Sequence, residues 1–148
     1  MRPSFSLAEL LPHRPPMVLI DEVVDVDVEK KSLVAAFVAK DEWSGNWVAI
    51  EYMAQTAAAL AGYFDRLECA DRPARPGFLL GTRKLELKLE KFSIGSRYRV
   101  RATNEFSDGE AASFACEIED ERGEVVATAI LNAYRPENVA DFLKSNMV

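Results

Sequence analysis

The chain has 148 residues, enough for one domain with one sizeable core, and its 49% apolar and 28% charged residues mark a globular protein. Eighteen basic against 24 acidic side chains give a formal net charge of -6, which argues against a nucleic-acid coat because phosphate contacts need a positive field. The two cysteines, Cys69 and Cys116, lack zinc-site spacing; a single disulfide between them is open, but they neither staple a secreted scaffold nor require an oxidising compartment.

In chain order, residues 6–11 have the signature of a short helical turn: Ser6 as cap and Glu9 three residues on, the capping-box spacing. Pro12 ends it, and His13, the one histidine of the chain, sits in a stiff loop framed by Pro12, Pro15 and Pro16. One histidine excludes metal sites and triads that need several, but not an acid–base pair of histidine and carboxylate. No apolar run resembles a signal peptide before acidic residues intervene. No stretch reaches the roughly 18 apolar residues that cross a bilayer, so the chain is expected to be soluble and cytoplasmic.

Residues 17–28 read as a strand in which Val24, Val26 and Val28 alternate with acidic residues, and residues 32–39 as a second. The segment 40–46 is polar and irregular. Residues 47–67, WVAIEYMAQTAAALAGYFDRL, then predict one long helix with Asn46 as its N-cap. Ile50, Met53, Ala54, Ala57, Ala61 and Phe64 follow the spacing of a packed face, and Gly62 permits close approach of a neighbour. After a polar loop at 69–76, four strands are expected at 78–89, 96–106, 111–119 and 124–134, in meander-like order, with tight turns at 107–110 and 120–123. A short helix is expected at 137–147. No linker divides the chain, so residues 1–148 read as a single α+β domain: a twisted antiparallel sheet wrapped around one long helix, with a dimer partner covering what remains.

Glu51 is the first candidate for chemistry, a carboxylate near the start of an otherwise apolar helix. The helix start favours its charge while burial favours its proton, so it can act as acid, base or positioner; a solvated first-turn charge is the alternative. Gln55 lies one turn on, where its amide can bond that carboxylate. His13 titrates near neutral pH and can act as a base, or be a loop histidine satisfied by backbone. Trp43 and Trp47 are candidates for an apolar pocket wall, with core packing as the alternative. Gly77 and Gly81 fall outside any phosphate-loop pattern and permit a bend or close contact, while the serines lack a hydrolase elbow. Arg72, Arg75, Arg83, Lys84, Lys88 and Lys91 can form a local basic rim or be solvated charges.

Three segments together, LPHRPPMVLIDEV at 11–23, IEYMAQTAAALAGY at 50–63 and GFLLGTRKLEL at 77–87, resemble the beta-hydroxyacyl-acyl carrier protein dehydratases of the hotdog superfamily. The nearer resemblance is to the dehydratase-like branch associated with aryl polyene lipid biosynthesis, over about residues 7 to 135. It implies a hotdog fold, a dimer or higher even oligomer with acyl sites at subunit boundaries, and elimination of water from a 3-hydroxyacyl thioester. The substrate itself carries phosphopantetheine, on an acyl carrier protein or coenzyme A, and no bound cofactor or metal is implied. Glu51 matches the carboxylate of the family's EAMAQ-like motif, Gln55 its glutamine, and His13 the histidine of a loop bordering the acyl tunnel.

The sequence departs from the family at one place. Where these dehydratases carry GHFPG with the histidine that removes the C2 proton, residues 41–51 read DEWSGNWVAIE. Asn46 and the 46–48 backbone remain as candidates to stabilise a developing enolate, and His13 as the one imidazole. Three readings are therefore carried: a dehydratase with His13 as base and Glu51 as acid, a thioesterase in which Glu51 activates water, and an acyl-binding subunit that pairs with a second, active dehydratase. Neither a nucleic-acid partner nor a membrane span is expected.

Overall fold

The computed structural model describes residues 5–12, 17–69, 71 and 77–135. His13, Arg72, Arg75 and the helix expected at 137–147 lie outside the described residues. Ser6 caps α1 (Leu7–Leu10) with the expected capping box: the Glu9 N–H donates to Ser6 Oγ, and the Ser6 N–H donates back to the Glu9 carboxylate at 3.0 Å. Six strands follow around one long helix: β1 (Glu22–Asp27), β2 (Ser32–Val38), α2 (Ala49–Glu68), β3 (Phe78–Leu87), β4 (Arg97–Asp108), β5 (Ala111–Glu119) and β6 (Val125–Tyr134). They form one antiparallel sheet in the order β1-β2-β4-β5-β6-β3.

Strands β4, β5 and β6 are the expected meander, but β3 is not part of it. It crosses to the far edge and pairs with β6, while β2 and β4 join across the space that β3 would have filled. The reason lies in the helix. Tyr98, Val100 and Ala102 of β4 and Leu33, Ala35 and Phe37 of β2 are buried, so these neighbouring strands present one apolar surface for α2 to cross. On β4 the alternate positions Arg97, Arg99 and Arg101 face outward and are exposed. Tyr52 stacks on Phe37 with ring centroids 3.5 Å apart, and Phe92 and Tyr98 close the cluster, clamping the first half of α2 to the sheet. Each such fully buried large side chain contributes about 1.5–3 kcal/mol.

Two expected boundaries move for identifiable reasons. Strand β1 begins at Glu22 rather than at residue 17, because the backbone of residues 17–20 is bonded to the Gln55 side chain instead of a strand. A bulge between Val23 and Asp25 shifts the register early in the strand; Val26 is buried, while Val28 lies past the strand's end, in the turn, and is exposed. Asn46 does not cap α2. It opens a 3-10 turn, Asn46–Val48, that leads into the helix, and its amide donates to the Leu89 carbonyl at 3.1 Å instead. Both cysteines are free, Cys69 exposed and Cys116 buried.

Gly62 is where α1 rests on α2: a Cβ there would lie 2.1 Å from the Leu10 carbonyl oxygen. Gly62→Ala must push the two helices apart, and a loss of about 1–3 kcal/mol is expected. Urea denaturation of the variant beside the parent chain measures it; an unchanged midpoint would show that α1 does not dock at Gly62.

Candidate active site

Glu51 is the third residue of α2 and half-buried. Gln55, one turn on, is fully buried, and its amide is the hub of the site. Its Nε2 donates to the Met17 carbonyl at 2.6 Å and to Glu51 Oε1 at 3.1 Å, while its Oε1 accepts the Leu19 N–H at 2.8 Å and the Ile20 N–H at 3.4 Å. A buried amide left unpaired is costly, and here both donors and the acceptor are satisfied. The same four bonds hold one carboxylate oxygen in place and strap the segment that follows His13 onto the helix.

The carboxylate faces an apolar cavity of about 180 Å³ lined by Ala54, Ala57, Ala58 and Ala61 of α2 and by Leu79, Phe114, Leu131 and Ala133 of the sheet, with Pro12 and Glu51 among its walls. The alanines expected to pack the helix face thus leave space. The helix rests on the sheet through longer residues, Tyr52, Met53, Leu60 and Tyr63, and the short side chains beside them stop before the opposite wall. Sequence reading missed Ala58, Phe114 and Arg135 as wall residues. The signal available was the stripe Glu51, Ala54, Ala58, Ala61, Asp65, at helical spacing of three and four.

Of the residues singled out from sequence, Glu51 and Gln55 meet. Trp43, Trp47 and Asn46 are not in the walls of this cavity. Trp43 packs partly against the core and edge-on to Trp47, with centroids 6.2 Å apart; its carbonyl accepts the Tyr52 hydroxyl at 3.4 Å. Trp47 is 61% exposed and lies over Gly45, where a Cβ would come within 2.3 Å of its indole nitrogen. The backbone at 46–48 is largely engaged: the Asn46 N–H donates to the Glu90 carbonyl at 3.3 Å and the Val48 N–H to the Gly45 carbonyl at 3.1 Å. Among the described residues no cluster of histidine, cysteine and carboxylates could hold a metal, and no helix is long and apolar enough to cross a membrane.

The helix threaded through a curved antiparallel sheet, with a carboxylate near its start, defines a hotdog protein. The ApeP-like family of ApeP dehydratases matches residues 5–144, and the chain belongs to it. In three dimensions the chain is similar to a chain of the dehydratase heterocomplex ApeI:P from Xenorhabdus doucetiae, at 26% identity and a TM-score of 0.84, covering 97% of this chain and 99% of that one. Two structures share the fold alone. PaaI of the phenylacetic acid degradation operon of E. coli matches at 10% identity and a TM-score of 0.59, covering 79% of this chain and 80% of that one. A hypothetical thioesterase of Streptococcus pneumoniae TIGR4 with coenzyme A matches at 8% identity and a TM-score of 0.61, covering 78% and 84%. No curated protein matches the sequence. The chain is a hotdog-fold enzyme of the dehydratase class, and the branch associated with aryl polyene biosynthesis, expected from the three segments, is this family.

Burial, with the nearby Asp21 and Tyr98, pushes the Tyr52 phenol up to about 12, and burial with Glu105 does the same for the Cys116 thiol. Both groups then bind protons more tightly folded than unfolded. Their contribution is complete below the unfolded values and is lost as pH rises toward about 12. Urea midpoints measured through the alkaline range are expected to fall, and less steeply in Tyr52→Phe. The same slope in parent and variant would remove Tyr52 from the account.

Proposed function

We propose that the chain takes part in dehydrating a 3-hydroxyacyl thioester, with the acyl chain in the alanine-lined cavity and Glu51 at the reacting end. The observation that carries this reading is the Glu51 carboxylate, oriented by a fully buried Gln55 at the apolar cavity of a dehydratase-family chain. Elimination needs a base to take a proton from C2 and an acid to protonate the hydroxyl on C3. The C2–H electrons become the C2=C3 double bond, the C3–O bond breaks, and the oxygen leaves as water. Glu51 is assigned the C3 hydroxyl: its protonated form donates to the leaving oxygen. His13 is assigned the C2 proton. Pro12, the residue before it, lines the same cavity as Glu51, and that supports the assignment.

A second reading has its own support, since the sequence has no histidine in residues 41–51 and a related chain is part of a dehydratase heterocomplex. In that reading the chain pairs with a second hotdog dehydratase that supplies the missing base. Strand β3 is the edge we assign to a partner, a second copy or such a dehydratase. It is the last strand of the sheet, and Leu79, Leu80 and Leu85 on it are 45%, 63% and 39% exposed. Leu79 also lines the cavity, so a subunit seated there would complete its wall. Exposed Arg83, Lys84, Lys88 and Lys91 on and after this strand supply a local positive rim for an acidic carrier protein or the phosphates of coenzyme A, against the net charge of -6. Residues 1–148 are read as one domain working in the cytoplasm.

Purified chain, alone and with a companion dehydratase, is given 3-hydroxyacyl-carrier protein and followed by mass. Loss of water is expected, and both Glu51→Gln and His13→Ala should slow it by about 10²–10⁴-fold, the range for a lost general acid or base. Turnover that is indifferent to Glu51→Gln would overturn the assignment. Indifference to His13→Ala, with activity only beside the companion, would select the paired-subunit reading.

A further inference from the structure

Two cavities meet along the second half of α2. The one that starts at Glu51 has about 180 Å³; its neighbour is more polar, has about 620 Å³, and is lined in part by Lys31, Asp65, Glu68, Asn104 and Glu110. Ala61, Phe114 and Arg135 line both, so these three side chains are the wall between them. Two of the three are apolar. The third carries a guanidinium that is ion-paired with Asp65 Oδ2, the two side chains being 17% and 10% exposed.

Arg135 is held from three sides. Asp65 takes its Nη2, its backbone N–H donates to the Glu110 carbonyl at 2.8 Å, and its stem runs over Gly77, where a Cβ would lie 2.9 Å from Arg135 Cγ. Asp65 stands fourteen residues beyond Glu51 on the same helix, about 21 Å along the axis at 1.5 Å per residue. The helix face between them is alanine at 54, 58 and 61. The result is an apolar slot with a carboxylate at one end and a buried ion pair at the other.

We propose that the Arg135–Asp65 pair is the end wall of the acyl cavity and sets the length of chain it accepts, an inference that rests on that cavity being the acyl site. A methylene chain offers neither charge a hydrogen bond. To pass the wall it must break this largely buried ion pair and offers nothing in its place. Chains ending before the wall meet mostly alanine, leucine and phenylalanine side chains. Chains long enough to reach it are rejected, and an apolar pocket discriminates about 10–200-fold per methylene at such a limit.

The test separates this wall from the chemistry by using unreactive acyl-pantetheine thioethers of increasing chain length, with binding followed by calorimetry. D65A/R135A opens the wall, D65N/R135S is a milder opening variant in case the first does not fold, and D65L/R135M closes it with apolar bulk. The opening variant is expected to bind the longest analogues at least about tenfold more tightly than the parent chain, with the shortest unchanged. The Leu/Met variant should keep the parental length limit, which a merely structural ion pair would have no reason to transmit. The same length profile in parent and opening variants overturns the proposal, as does a parent chain that binds all lengths equally. The two readings fail separately: a length shift without dehydration at any length keeps the wall and removes the dehydratase assignment, whereas intact dehydration with no shift does the reverse.

Discussion

The buried amide of Gln55 is the constraint from which the site follows. It is fully enclosed, so each polar atom must find a partner inside the protein, and it finds them in Met17, Leu19, Ile20 and Glu51. One side chain thereby decides three things: residues 17–20 stay out of the sheet, that segment is tied to α2, and the Glu51 carboxylate is turned to a defined position. A leucine at 55 would fill the volume but would leave the Met17 carbonyl and the Leu19 N–H without this partner. The polar network is confined to the first two turns of α2, and the aromatic cluster of Phe37, Tyr52, Phe92 and Tyr98 anchors those same turns to the sheet.

Beyond Gln55 the helix changes character. The large residues Met53, Leu60 and Tyr63 carry it on the sheet, while Ala54, Ala58 and Ala61 hold open a slot beside them. Close packing elsewhere is what allows the slot to persist: the helix cannot settle into it without lifting Tyr52 and Leu60 from their contacts. The slot runs from a carboxylate suited to proton transfer to an ion pair that a hydrocarbon chain cannot enter. Reaction chemistry and substrate length are thus set at opposite ends of one helix.

Much of this was legible in the sequence where a local rule operates. The capping box at Ser6 and Glu9, the β5 and β6 strands, the turns at Gly109 and Gly123 and the long helix each follow from local propensity and turn chemistry. The close approach at Gly62 was also legible. What failed depends on distant partners. Strand β3 lies beyond β6 because β2 and β4 pair over the helix, a long-range outcome that meander order does not contain. The strand expected from residue 17 loses its first residues to Gln55, and Asn46 gives its side chain to Leu89 rather than to a helix cap. Spacing likewise grouped Ala54, Ala57 and Ala61 as one packed face, because periodicity reports which side a residue occupies but not whether its side chain reaches the opposite wall. Glu51 and Gln55 were found as a pair because they are four residues apart; the partner of Asp65 is seventy residues away and left no local trace.

The measurement that tests this account most directly is a double-mutant cycle between Glu51 and Gln55, read as the rate of water loss from a 3-hydroxyacyl thioester in the assembly that turns over. If Gln55 acts by holding Glu51, Gln55→Leu slows the parent chain but has little further effect once Glu51→Gln is in place, leaving a coupling of about 0.5–3 kcal/mol. Independent, additive losses from the two substitutions, or full activity in Gln55→Leu, would contradict it.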